Sequence, residues 1–530
     1  MKILELPQFE KVNVTRKNAK DLILKEHERI DEAIKTINKD GKIDKDLCQK
    51  LRPVGSQPAR LYGLAKVHKS GVPVRPVLSM PGSAYHNVAQ QTAEWLARIP
   101  EAQINSSSKK VSDQIKEMKI PENQEVVSFD VSALYTNVPV KEAIQLAADR
   151  LYDGTLESTP VDKQTFIELL ELCSLNVIML KNHGYYKQID GLAMGSAPAP
   201  YLANIWLSKY DPQIKGDATL YERYMDDVLT DRLKDEIEEH LEKINSFHPM
   251  LKFTMEREVE GRLPFLDLCI VHAGSDVYTT WYTKPTDTGL VMNFHSLAPR
   301  KYKRAVVQGL VHRIYRACST WEAVVESLER AKAILERNQY PPEIYDPIIA
   351  TTLEKIILDS KGSSSSAPQS RREVTEPGKS YMISVQYRGR DTDNLVRWLS
   401  KHPTPIRVVL TLRKIKTALP SLKPPVPLFM RSRLVYKITC PGCESSYVGK
   451  TLRHLKVRLD EHANKNKPVG AHFHNCIQTR PTSDDVSVLM STTRNNLFLM
   501  TLEALCIAEH ELNLNTRDEC RSRTLTLRIF

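Results

Sequence analysis

Two short stretches constrain this chain most. In Val126-Val127-Ser128-Phe129-Asp130, an apolar run with strand character delivers a single carboxylate at its end. In Tyr221-Glu222-Arg223-Tyr224-Met225-Asp226-Asp227-Val228-Leu229, two adjacent carboxylates lie between short runs that alternate apolar and polar residues. That alternation predicts a β-hairpin with acids at its turn, since successive strand side chains point to opposite faces. An isolated Asp-Asp pair is most often a solvated turn. A second strand ending in Asp130 changes the reading, because one carboxylate from each of two neighbouring strands can bridge two cations. Asp is a hard-oxygen ligand suited to Mg2+, which takes one or two protein carboxylates and keeps positions for phosphate oxygens. Two such ions a few Å apart are what nucleotidyl transfer requires, one activating a hydroxyl and one steadying pyrophosphate. Asp130, Asp226 and Asp227 are therefore candidate catalytic residues and ligands of Mg2+ or Mn2+.

The surroundings predict an α+β domain. Strand-like runs (VVSFDVSAL, VLTD, LPFLDLCIV) alternate with helical ones (EAIQLAADRLY, DEIEEHLEKI) up to about residue 285. Residues 15–50 carry Leu22, Ile23, Ile30, Ile34 and Ile37 near helical spacing, and 299–358 read as mainly helical. KGSSSSAPQSRR, residues 361–372, has the composition of a linker, because small polar residues cannot bury a core. These shifts divide the chain into an N-terminal helical region (1–60), a first α+β region (61–285), a helical region (286–358), a linker and connector (359–429) and a C-terminal block (430–530). At 530 residues several domains are expected. The excess of 75 Lys and Arg over 64 Asp and Glu suits a polyanionic partner, though a modest basic bias is common. MKILELPQFEKVNV has no apolar core followed by a small-residue cleavage site, so no signal peptide is expected. No run of about 18 apolar residues occurs, so no membrane partner is expected.

The C-terminal block carries its own chemistry. Two strand-like runs, each with a tyrosine (Tyr436 and Tyr447), flank Cys440-Pro-Gly-Cys443, and a helical segment then puts Arg458 and His462 one turn apart on one face. Five of the nine cysteines lie between Cys440 and Cys520. Cys-x-x-Cys with histidines downstream is a zinc-type spacing, whereas thiols in an intracellular chain stay reduced rather than paired. The downstream candidates are His462, His472, His474 and Cys476; His462 and His472 are favoured, with Cys476 the rival. A reduced pair in a surface turn is the plainer alternative.

With these residues in place, the chain resembles the reverse transcriptases of Penelope-like retroelements. Phe129-Asp-Val-x-x-Leu-Tyr-Thr-Asn137 is similar to the family's first palm motif, and Gly191-Leu-Ala-Met-Gly-Ser-Ala-Pro-Ala-Pro200 to its template-grip motif. Tyr224-Met-Asp-Asp227 is similar to the polymerase signature, and Leu64-Ala-Lys-Val-His-Lys69 with Val74-Arg-Pro-Val77 to the fingers motif. Leu263-Pro-Phe-Leu-Asp267 and Tyr282-Thr-Lys-Pro-Thr286 follow in the family order. The last block resembles a GIY-YIG nuclease domain, which follows the polymerase in that family.

The resemblance implies a right-hand polymerase (fingers, palm, helical thumb) followed by a small α/β nuclease. Lys66 and Arg75 would hold the triphosphate, Arg as a planar fork and Lys as a point charge. Tyr135 would pack under the incoming sugar, unless it is an ordinary core tyrosine. Gly195 would let backbone approach template or nucleotide closely. Arg300, Lys301, Lys303, Arg304, His312, Arg313 and Arg316 would track primer–template phosphates, unless they are a solvated helix face. In the nuclease, Tyr436 and Tyr447 would flank the site, Arg458 would hold the scissile phosphate, Glu503 would bind one Mg2+ and Asn515 would steady the fold. Zinc would occupy Cys440, Cys443, His462 and His472. The implied partners are an RNA template, a DNA primer or target and deoxynucleoside triphosphates, with nuclear action expected from a chromosomal substrate.

Two departures stand out. Ala199 replaces the second serine of the grip motif, which is expected to weaken template positioning, and Leu434 replaces the first glycine of the nuclease motif. They motivate a competing reading, a domesticated copy serving only as a nucleic-acid-binding scaffold; the intact aspartates, Arg458 and Glu503 oppose it. A telomerase-like enzyme would share the palm but lack the terminal nuclease.

Overall fold

Helical spacing near the N-terminus becomes the helix Ala19–Lys39, whose Ile23, Ile30, Ile34 and Ile37 are buried, followed by Lys45–Leu51. This computed structural model describes residues 7–13, 19–65, 71–72, 74–157, 159–181, 184–274, 276–362, 381–403, 406–412, 426–492, 496–509 and 514–515. The chain forms two compact units. One combines residues 1–104, 133–212 and 424–530, the other 105–132 and 213–423. Boundaries drawn along the sequence at 60, 285, 358 and 429 do not delimit these units, because strands far apart in the chain pair with one another.

In the first unit a five-stranded sheet has the order Phe9–Val12, Gly184–Gln188, Val177–Lys181, Ala59–Ala65, Val74–Ser79. Ala59–Ala65 pairs parallel with Val177–Lys181 and antiparallel with Val74–Ser79, where Leu64 stands opposite Arg75. The helices His86–Leu96, Lys163–Ser174 and Ala199–Ser208 bury Trp95, Phe166 and Trp206, each no more than 2% exposed.

The C-terminal block of the same unit has separate apolar cores on the two faces of a three-stranded antiparallel sheet. Leu434–Thr439 is central, between Ser446–Thr451 and Val486–Ser491. Leu434, Tyr436, Ile438 and Tyr447 face one core with Leu455, Leu459 and Phe473; Val435 and Val448 face the other with Leu499 and Cys506. Leu434 is fully buried, so the residue that departs from the nuclease motif is a core side chain.

In the second unit a four-stranded sheet has the order Tyr221–Tyr224, Asp227–Leu233, Gln124–Val131, Phe253–Glu256. LPFLDLCIV, which reads as one strand-like run, is two: Arg262–Phe265 and Leu268–Ala273 fold back on each other. Leu266 takes a left-handed conformation at their turn, with φ 55°. Three helices follow, Arg300–Ala317, Trp321–Arg337 and Pro342–Gly362. The first buries Val307, Leu310, Val311 and Ile314 and exposes Arg300, Lys301, Arg304, His312, Arg313 and Arg316. Among the described residues no helix is long and apolar enough to cross a membrane.

Candidate active sites

The carboxylates converge by strand register. Gln124–Val131 runs antiparallel to Asp227–Leu233, which sets Asp130 directly opposite Asp227. Tyr224 pairs with Asp227 across a two-residue turn made by Met225 and Asp226. Met225 carries φ 56°, and the Asp226 carbonyl accepts a 3.0 Å hydrogen bond from Val131 N–H. Three carboxylates thus share one end of two central strands, half-buried. Burial, with the charges of Asp226 and Asp130, pushes the Asp227 carboxyl up to about 6, while Lys284 from the Tyr282–Thr286 motif pulls the other way. A cluster whose ionised form is disfavoured by its own crowding is chemically suited to divalent cations.

Sequence reasoning missed the support beneath this hairpin. Glu222 and Arg223 look like the polar half of an alternating strand, yet they are 4% and 2% exposed. The Glu222 carboxylate accepts from Lys110 Nζ and from Gln114 Nε2 at 2.7 Å, and Arg223 donates to the Met225 carbonyl at 3.2 Å. Two adjacent charged residues, separated from the acidic pair only by Tyr224 and Met225, were the available signal.

In the other unit Arg75 is exposed on its strand. Tyr135 lies in the single helical turn Leu134–Asn137, and its carbonyl accepts from Leu192 N–H at 2.6 Å. That contact joins the first palm motif to the grip motif. Gly195 makes a close contact within the protein. It has φ 101°, and a Cβ there would lie 2.3 Å from the Leu78 carbonyl oxygen. Ala199 is 1% exposed. Lys66 lies outside the described residues.

In the C-terminal block Tyr436 pairs with Gly449, and Ile438 with Tyr447. A Cβ at Gly449 would fall 2.7 Å from the Tyr447 ring and 2.9 Å from the Tyr436 hydroxyl, so only glycine admits both tyrosines. Arg458 Nε donates to the Tyr436 hydroxyl at 3.1 Å, and that hydroxyl is 2.7 Å from His462 Nε2. Arginine can only donate, so the phenolic proton points to the histidine. Burial and the Arg458 charge hold His462 down at about 4, leaving it neutral and able to accept. The Tyr447 ring packs edge-on against the His462 ring at 4.9 Å. Arg458 is further fixed by Glu461 at 2.8 Å. Burial, offset in part by Arg458, raises the Tyr436 phenol well above its ordinary value, and the negative charge of Glu503 contributes. Glu503, 3% exposed, accepts from Lys450 N–H at 2.9 Å, and Asn515 bonds both backbone polar groups of Val448.

The metal-type cluster differs in one ligand from the set favoured by the sequence. Cys440, Cys443, His472 and Cys476 bring one donor atom each within 4.8 Å of one another. His462 is not among them, because its Nε2 is engaged by Tyr436 and its ring lies between two tyrosines. Cys476 supplies the fourth donor from the helix Pro468–Ile477. Hydrogen bonds from Ser445 draw the Cys443 thiol down to about 6, where it ionises readily. Three thiols and an imidazole in this grouping match the donor set of structural zinc.

Residues 67–258 match the family model described as reverse transcriptase (RNA-dependent DNA polymerase). The chain therefore carries a reverse transcriptase domain over that stretch. Residues 290–350, spanning the helices after the second unit's sheets, match the animal helix-turn-helix domain. No curated protein matches the chain. Among solved structures, it is similar to telomerase from Candida albicans in complex with a fragment of telomeric RNA (11% identity, TM-score 0.40, 62% of this chain and 63% of that one). A Sicinivirus RNA-dependent RNA polymerase matches with 12% identity and TM-score 0.36, over 58% of this chain and 71% of that one. The chain spans less than two thirds of the length of the telomerases it matches.

Proposed function

We propose that this protein is a Penelope-like retroelement enzyme that extends a DNA 3′-hydroxyl along an RNA template and carries a GIY-YIG endonuclease that nicks the target. The observation that carries the polymerase reading is the register that places Asp130 opposite Asp227, with Asp226 at the adjoining turn. Asp130 and Asp226 would hold the cations, with Asp227 supporting them. Mg2+, when bound, supplies charge neutralisation for the hydroxyl and the leaving pyrophosphate. Arg223 keeps the turn in place, and the exposed basic face of Arg300–Ala317 meets nucleic-acid phosphates. In primer extension on RNA with Mg2+, the double change Asp226→Ala and Asp227→Ala is expected to abolish incorporation; activity persisting above about 1% of the parent's would sink the assignment.

The nuclease reading rests on the joined Tyr436, His462 and Arg458 with Tyr447 against them. Arg458 offers a fixed guanidinium to the scissile phosphate, and the Tyr436–His462 pair provides a route for a proton leaving water. Glu503 would hold one divalent ion, and the three-cysteine, one-histidine cluster would hold zinc to brace the turn after Thr439. Arg458→Ala and Glu503→Ala should each cut plasmid nicking by at least about a hundredfold while primer extension stays near the parent's. Equal nicking by either variant would refute the site. Joining both activities keeps a fresh 3′ end at high effective concentration near the polymerase. A chromosomal target places this work in the nucleus.

A further inference from the structure

Among the described residues, the C-terminal block touches the N-terminal region of its own unit at the turn Gly55–Ser56. Ser432 Oγ donates to the Gly55 carbonyl at 2.9 Å. His454 Nε2 lies 2.6 Å from the Ser56 carbonyl, and Ser56 Oγ lies 2.7 Å from His27 Nδ1. The two imidazoles meet edge to face, with centroids 5.0 Å apart. Ser56 and His454 are each 1% exposed. The approach is too close for any side chain at position 55. A Cβ on Gly55 would lie 2.2 Å from Ser432 Cβ and 2.7 Å from the Leu452 carbonyl oxygen, and φ is +60°.

This contact bears on the candidate nuclease, because His454 immediately precedes the helix Leu455–His462, which carries Arg458 and His462. The start of that helix is also tied down by Leu455 N–H donating to the Arg431 carbonyl at 2.9 Å, next to Ser432. A carbonyl acceptor fixes a proton on His454 Nε2, so this hydrogen bond survives in the neutral ring.

We propose that the turn around Gly55 and Ser56, with His27 beneath it, is a docking surface for the C-terminal block, seating the Arg458 helix on the N-terminal region through the hydrogen bonds of Ser432 and His454 and the edge-to-face contact of two histidines. The block is then a docked element rather than one joined only by its connector. The docking stands on these contacts whether or not the block is a nuclease. Its ligand is a segment of the same chain with a half-buried serine donor, a buried imidazole and a small side chain packed closely against Gly55.

The test uses the full chain with a protease site placed in the stretch 413–423, so that the C-terminal fragment carries only the block in question. After cleavage, the two fragments are run on size exclusion at pH 7.5 over a dilution series. The parent fragments are expected to co-elute. Gly55→Val should weaken their association at least tenfold, and so should the pair His27→Ala and His454→Ala, which leaves the left-handed backbone untouched. Circular dichroism checks that helix content is retained. Parent fragments that elute apart with intact helix content would overturn the proposal, as would the double histidine variant associating as tightly as the parent.

Discussion

Ala199 begins the helix Ala199–Ser208 and is 1% exposed. A side chain with so little surface cannot meet a template, so the departure that the motif suggests would loosen template grip is a packing choice. Ala199→Ser is accordingly expected to keep the kcat/KM of primer extension within about twofold, with a stability change of at most ~1–3 kcal/mol from burying a hydroxyl. A rise above tenfold in activity would return the residue to the binding surface. The convergence of Asp130, Asp226 and Asp227 was legible from residue types at a spacing, and that of Tyr436 and Arg458 from a motif resemblance. What pattern alone did not show was burial against expectation. Glu222 and Arg223 look solvent-facing, yet partners a hundred residues away or in the adjoining turn hold them inside. Gly195 likewise looks like a glycine kept clear for a ligand, and only the Leu78 carbonyl reveals its neighbour.

At the scale of elements, periodicity located the helices and most strands, and it failed where the turn signal was weak. LPFLDLCIV has Asp267 in its turn but neither Gly nor Asn for the left-handed position, so the conformation of Leu266 is imposed by the pairing on each side of it. The metal-type cluster shows the same limit. His462 and His472 both follow the Cys440–Cys443 pair along the chain, but the helix Leu455–His462 points its last residue at two tyrosines, while Pro468–Ile477 presents His472 and Cys476 one turn apart. The two helices therefore divide the labour, and their variants should separate. Cys476→Ser is expected to lower bound zinc, measured by chelator titration, by at least tenfold and to lower the thermal midpoint of the block. His462→Gln should keep the full zinc content and lose nicking. Zinc lost from His462→Gln but kept by Cys476→Ser would reverse the assignment.

Across the whole molecule, the long-range pairings that build the two interleaved units were not readable from one sequence, since neither hydrophobic pattern nor composition specifies which strands meet. Nor was the docking of residues 431–455 on the turn at Gly55, because a serine, a glycine and two histidines scattered over more than 400 residues form no motif. Their burial does set a pH response. His27 is depressed from 6.5 to about 4, first by burial and then by the nearby His454, with Arg52 and Lys35 adding to the effect and Asp31 opposing it. His454 is also lowered by burial, opposed by its hydrogen bond to Ser56 and by Glu28. A depressed histidine binds fewer protons docked than apart, so docking is strongest above about 6.5 and weakens as pH falls towards 4. Association of the cleaved fragments should therefore be measurably weaker at pH 5 than at pH 7.5. In the variant lacking both histidines the association, already weak, should no longer change between pH 7.5 and 5; a change as large as the parent's persisting there would assign the response to other groups.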